Sequence, residues 1–191
     1  MKRILPTLAL TLAASPALAH LDPNEHGSVM AGLSHPVFGL DHILAMVAVG
    51  LWAVSLGGRA IVALPAAFVG AMILGYFAAV AGVPLPFVEP MILVSVFALG
   101  LALAFAFRLP VWAAATAVGF FGLFHGHAHG GELGSAGALA FGIGFAISTA
   151  LLHAFGVVVA IMAGRALRGA NILRGLGVLT ALGGLWVVVA G

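Results

Sequence analysis

The chain has 191 residues, 63% of them hydrophobic and only 6% charged, whereas a soluble domain carries about a quarter charged residues. No water-facing surface can be assembled from that composition, and a mean hydropathy of +1.25 makes the chain an all-α integral membrane protein. The absence of cysteine excludes disulfides, thiolate metal sites and thiol catalysis, and a pI near 10.0 is accounted for by a few arginines at membrane boundaries, not by nucleic-acid binding.

The first segment, "MKRILPTLALTLAASPALA", reads as a signal peptide over residues 1–19. Lys2 and Arg3 form a basic start, a short apolar stretch follows, and Ala17-Leu18-Ala19 is a small-residue cleavage site. An uncleaved first helix is the alternative, but the apolar stretch is short for a span. Residues 20–191 then form one membrane domain.

About 20 apolar residues cross a bilayer, and the mature sequence divides into six such runs, near 36–56, 60–82, 87–107, 110–126, 137–163 and 172–190. The 27 glycines and nine prolines suit membrane helices. The breaks are short, so function has to lie among the helices. Of seven basic residues, five follow the signal: Arg59, Arg108, Arg165, Arg168 and Arg174. They fall in the first, third and fifth breaks, which places those breaks in the cytoplasm. Both termini of a six-helix bundle are then periplasmic, as a signal peptide independently requires.

The other polar groups gather on the outer side. His20, Asp22, Glu25 and His26 precede the first span, and His35, Asp41 and His42 lie in "SHPVFGLDHILAM" at its outer end. Glu89 opens the third span. His125, His127, His129 and Glu132 lie in "FHGHAHGGE" at the outer end of the fourth. His153, in the fifth span near Ser148 and Thr149, sits deeper and is either an inner station for an ion or a packing residue.

His35 precedes Pro36 and Glu89 precedes Pro90. A residue before proline is pushed from helical geometry, and proline is accepted as a first helical residue. Both spans are therefore expected to start at their proline, with His35 and Glu89 on non-helical backbone. In one continuous helix, His35 and His42 would lie about 10.5 Å apart along the axis; a break between them lets both reach one ion, and Gly39 leaves room. Asp41 is expected to orient a histidine from a neighbouring helix, a common carboxylate role beside metal ligands. The fourth helix is expected to end near Gly126, assigning His125 to the membrane site and His127 and His129 to a flexible external collar. If it continued, His125 and His129 would share a face and His127 would point away.

Imidazole with carboxylate and no sulfur suits divalent first-row metals such as Ni(II), Co(II) or Zn(II). Met46, on the face of His42, keeps copper open. Ionisable groups inside spans usually mark an ion or substrate path, and no arginine or lysine in the outer half is available to pair with Asp41 or Glu89.

"HPVFGLDHILAMVAVGLWA" (35–53) resembles the signature of the HupE/UreJ family, a histidine, five residues, then Asp-His. "FHGHAHGGE" (124–132) is similar to its second motif, and Glu89 stands where the family has its third-span acid. The resemblance spans essentially the whole mature chain. It implies a bacterial nickel, alternatively cobalt, permease associated with hydrogenase or urease systems. It points to His35, Asp41, His42, Glu89 and His125; His127, His129 and His153 rest on the residue reading alone.

The combined expectation is a multi-pass secondary permease of the bacterial inner membrane, with Ni(II) or Co(II) as cargo and the lipid bilayer as partner. It has no prosthetic group, no enzymatic activity and an open question of homo-oligomer formation. No ATP-binding Gly-x-x-x-x-Gly-Lys motif is present. The alternatives are a metal-binding accessory or sensor that hands over ions without transport, a proton or ammonium channel, and an intramembrane hydrolase. The hydrolase lacks a Gly-x-Ser-x-Gly elbow.

Overall fold

The computed structural model describes residues 28–130, 137–166 and 169–190. The signal peptide expected at 1–19, the segment carrying His20, Asp22, Glu25 and His26, the loop carrying Glu132, and Arg168 lie outside the described residues. Every regular element described is an α-helix: α1 (Val29–Phe38), α2 (Leu40–Leu56), α3 (Ala60–Val80), α4 (Val88–Ala104), α5 (Val111–Gly130), α6 (Ala138–Gly164) and α7 (Gly169–Ala190).

Helices α3, α6 and α7 are long and apolar enough to cross a bilayer, and α1 with α2 forms a pair, bent by 86°, that would make a fourth crossing. Helix α4 is equally apolar but has 17 residues, and α5, with 20, carries three histidines in its last turns. Five of the six expected runs coincide with one helix each; the first is divided.

That division corrects the expected start at Pro36. Ser28 caps α1, its Oγ accepting from the Ala31 N–H at 2.9 Å, and Pro36 lies inside the helix. A proline within a helix removes one backbone hydrogen bond and crowds the preceding turn, and α1 ends two residues beyond it. The break falls at Gly39, in extended geometry. Glu89 likewise lies inside α4, which begins at Val88, ahead of Pro90.

Helix α2 is central, packing against α3, α4, α6 and α7, while α1 lies on α6. The closest pair is α3 with α5. Gly119, Gly122, Gly126 and Gly130 recur along α5 at intervals of three or four residues and face Ala67, Phe68, Met72 and Tyr76 of α3. Gly75 of α3 faces Leu123 in return. Without a hydrophobic drive inside lipid, such close approach supplies the van der Waals packing that associates helices.

Two glycines of one helix provide a matched test. A Cβ at Gly75 would collide with the Leu123 carbonyl, whereas one at Gly70 meets nothing within 4 Å. Gly75→Ala is expected to destabilise the detergent-purified protein by about 1–3 kcal/mol, as overpacking does, and Gly70→Ala to leave it unchanged. Thermal unfolding followed by tryptophan fluorescence checks both; equal midpoints would refute the tight α3–α5 seam.

The two ends of the bundle differ chemically. Ser55, Arg108 and Arg174 line one cavity of about 410 Å³. His42 lies 13 residues before Ser55 on α2, a separation of about 20 Å at 1.5 Å per residue. Arginines mark one end and histidines the other.

Candidate metal-cation site

The bend at Gly39 folds α1 back over the start of α2, so the ring centroids of His35 and His42 come to 6.1 Å. The break lies three residues later than expected, at Gly39, and His35 is turned toward His42. Helix α5 does not end near Gly126. It runs to Gly130, because Gly126 is spent on close packing against Met72 instead of on terminating the helix. The conditional arrangement of a continuous helix is therefore the one found: His125 and His129 share a buried face, and His127 points away.

Four imidazoles meet as a result. The His129 ring lies 4.2 Å from that of His35 and 4.8 Å from that of His42, and His125 lies 5.1 Å from His42. His42, His125 and His129 are buried and His35 is half-buried. Phe141 and Phe145 of α6 wall the cluster, with centroids 5.7 and 6.2 Å from His35. His129 is thus moved from the expected external collar into the cluster. His127 is also not a free collar: its Nε2–H donates to the Val83 carbonyl at 2.8 Å and ties α5 to the α3–α4 connection.

The hydrogen bonds fix which nitrogens carry lone pairs. Asp41 Oδ1 accepts from both the backbone N–H and Nδ1–H of His42, each at 2.9 Å. Asp41 therefore orients the histidine beside it, not one on a neighbouring helix. With His42 neutral, its Nε2 is left as acceptor, and it lies 2.7 Å from His129 Nε2. Ser95 donates its hydroxyl to the Ile92 carbonyl at 2.6 Å and so accepts from His125 Nε2–H at 2.9 Å. The lone pair of His125 is then on Nδ1, which is buried without a partner. Ser95 is a site residue that sequence reasoning missed; its signal was being the only polar residue of α4 besides Glu89.

The cluster is closed on itself. Two nitrogens bound to one ion at about 2.1 Å stand roughly 3 Å or more apart, farther than the 2.7 Å hydrogen bond between His42 and His129. Among the described residues, no group of three or more histidines and carboxylates is set at positions that could hold a metal ion.

Glu89 is not brought into the cluster. It is exposed on the first turn of α4. Met46 is fully buried in the apolar core. His153 is 1% exposed, and neither ring nitrogen has a hydrogen-bond partner. It lies eight residues beyond Phe145 on α6, about 12 Å deeper than the cluster.

Apolar helices, arginines gathered at one end and a buried imidazole cluster at the other define a multi-pass membrane protein. The chain belongs to the HupE/UreJ family: the family described as HupE / UreJ protein matches residues 8–187. It is also 45% identical over 153 residues to Protein HupE of Rhizobium leguminosarum bv. viciae, an alignment covering 79% of this chain and 80% of that one. No solved structure matches the chain.

Proposed function

We propose that this chain is a six-span permease of the bacterial inner membrane that imports a divalent transition-metal cation, Ni(II) first and Co(II) second, for hydrogenase or urease maturation. The observation that carries the reading is the convergence of His35, His42, His125 and His129 from three helices at one end of an apolar bundle. Family membership supports it. Imidazole donors with a supporting carboxylate suit nickel, cobalt and zinc, and too few oxygens converge for calcium or magnesium.

In this reading the cation arrives from the periplasm past Glu89, sheds water and is taken by His42, His125 and His129 with His35 at the mouth. Asp41 holds His42 in its ligating tautomer, and His127 secures the connection beside α5. His153 receives the ion further in. Inward movement needs no nucleotide. A membrane potential provides about 2.3 kcal/mol per charge per 100 mV, and a divalent cation draws roughly twice that.

The test is entry of radioactive nickel into proteoliposomes holding the purified protein under an inward-negative potential, with cobalt and zinc as competitors. Saturable uptake inhibited by cobalt is expected. Nickel binding without uptake would overturn the permease and leave a metal-binding accessory protein; potential-driven proton or ammonium flux that survives chelation would indicate a channel.

A further inference from the structure

Between the outer cluster and His153 stands one aromatic ring. Phe68 of α3 is completely buried. Its centroid lies 5.3 Å from that of His125 and 5.0 Å from that of His153. On the outer side of the ring, His125 Nδ1 has no hydrogen-bond partner; on the inner side, neither nitrogen of His153 has one. Buried polar groups without partners are rare and costly, and here they flank the same phenyl ring from both faces of the path. A second measure gives the same depth. His153 packs its backbone carbonyl against Gly50, eight residues along α2 from His42, again about 12 Å inward.

The backbone beneath this ring is fixed. A Cβ on Gly122 of α5 would come within 2.5 Å of the Phe68 carbonyl oxygen and 3.1 Å of its Cα, so α3 cannot slide or tilt away at this level without parting the α3–α5 seam. Motion that opens the path therefore belongs to the side chain. A groove of about 550 Å³, lined by Pro65, Ala66 and Val69 of α3 and Ala150 and Ala154 of α6, reaches His153 from another side.

We infer that Phe68 is the gate between two imidazole stations, closed in this structure, and that its ring must swing aside for a cation to pass from His125 to His153. The inference rests on the permease reading for its purpose, but the barrier itself is a property of the packing. With the ring in place, the outer station exchanges with the periplasm while His153 stays dry. With the ring displaced, the two nitrogen sites become neighbours and the ion passes between them without entering bare hydrocarbon.

The chain contains no cysteine, so His153→Cys introduces a single thiol at the inner station of the full-length protein. In sealed, right-side-out membrane vesicles, a charged, membrane-impermeant methanethiosulfonate reagent is added from the histidine-cluster side. Slow labelling is expected in the Phe68 background and labelling at least ~10-fold faster with Phe68→Ala, since removing the ring opens the way from His125 to the thiol while the outer imidazole cluster is the same in both proteins. Phe68→Leu, which keeps the core filled, is expected to accelerate labelling less, and in the same direction. Equal labelling rates with and without the ring overturn the gate. Nickel uptake into proteoliposomes by the protein with His153 intact is read in parallel. Uptake absent from the unsubstituted protein, alongside Phe68-dependent labelling, sinks the permease reading while leaving the barrier standing; uptake present with labelling indifferent to Phe68 does the reverse.

Discussion

His42→Ala and His129→Ala are each expected to lower nickel uptake by about a hundredfold or more, beyond the 10–100-fold typical of groups that merely support a ligand. His42 is the hub of the cluster. Its ring approaches those of His35, His125 and His129, and its Nε2 contacts His129 directly. Deleting either partner leaves too few nitrogens to replace the water shed by a divalent ion. Glu89→Gln should behave differently. An exposed carboxylate on the first turn of α4 attracts cations without dehydrating them, so roughly a threefold loss in apparent affinity is expected, diminishing with added salt. His153→Ala should separate the stations, retaining nickel binding in equilibrium dialysis while abolishing uptake. A Glu89→Gln protein as inactive as His42→Ala would place the acid in the ligand set; unchanged uptake in His42→Ala would remove the cluster from the path.

The helices were legible because each apolar run has the length and hydropathy that a bilayer demands. The run expected over 137–163 is α6 at Ala138–Gly164, and the run over 60–82 is α3 at Ala60–Val80. What could not be read was which local signals tertiary packing would override. Gly126 has the propensity of a helix terminator, but close packing of its bare backbone on Met72 keeps α5 helical for another turn and delivers His129 to the cluster. Pro36 and Pro90 have the character of helix starts, but the cap at Ser28 begins α1 earlier and Gly39 takes the bend. The histidines and Asp41 were identifiable by the cost of placing them in lipid. Ser95 and Phe68 were not, since a lone serine or phenylalanine in an apolar helix gains meaning only from the imidazole beside it.

Asp41→Asn is expected to weaken nickel binding by about 10–100-fold, the usual effect of removing a carboxylate behind a ligating histidine. The asparagine oxygen can still accept from His42 Nδ1–H, but without charge it neither raises the basicity of Nε2 nor holds one tautomer as firmly. Gly39→Ala should produce a comparable loss by another route. At Gly39, φ is −90° and ψ is 114°, geometry open to any residue, so the glycine is not there for backbone freedom. It is there for space: a Cβ would lie 2.9 Å from both Asp41 Oδ1 and His42 Nδ1, inside the hydrogen bond that orients the ligand. Because both substitutions act through that one bond, they should not add. The double variant is expected to bind nickel about as weakly as the worse single variant, and nickel titration of the four proteins in detergent measures the cycle. Losses that multiply would mean that Gly39 serves the bend between α1 and α2 independently of the aspartate. Full binding by Asp41→Asn would mean that His42 holds its ligating orientation unaided.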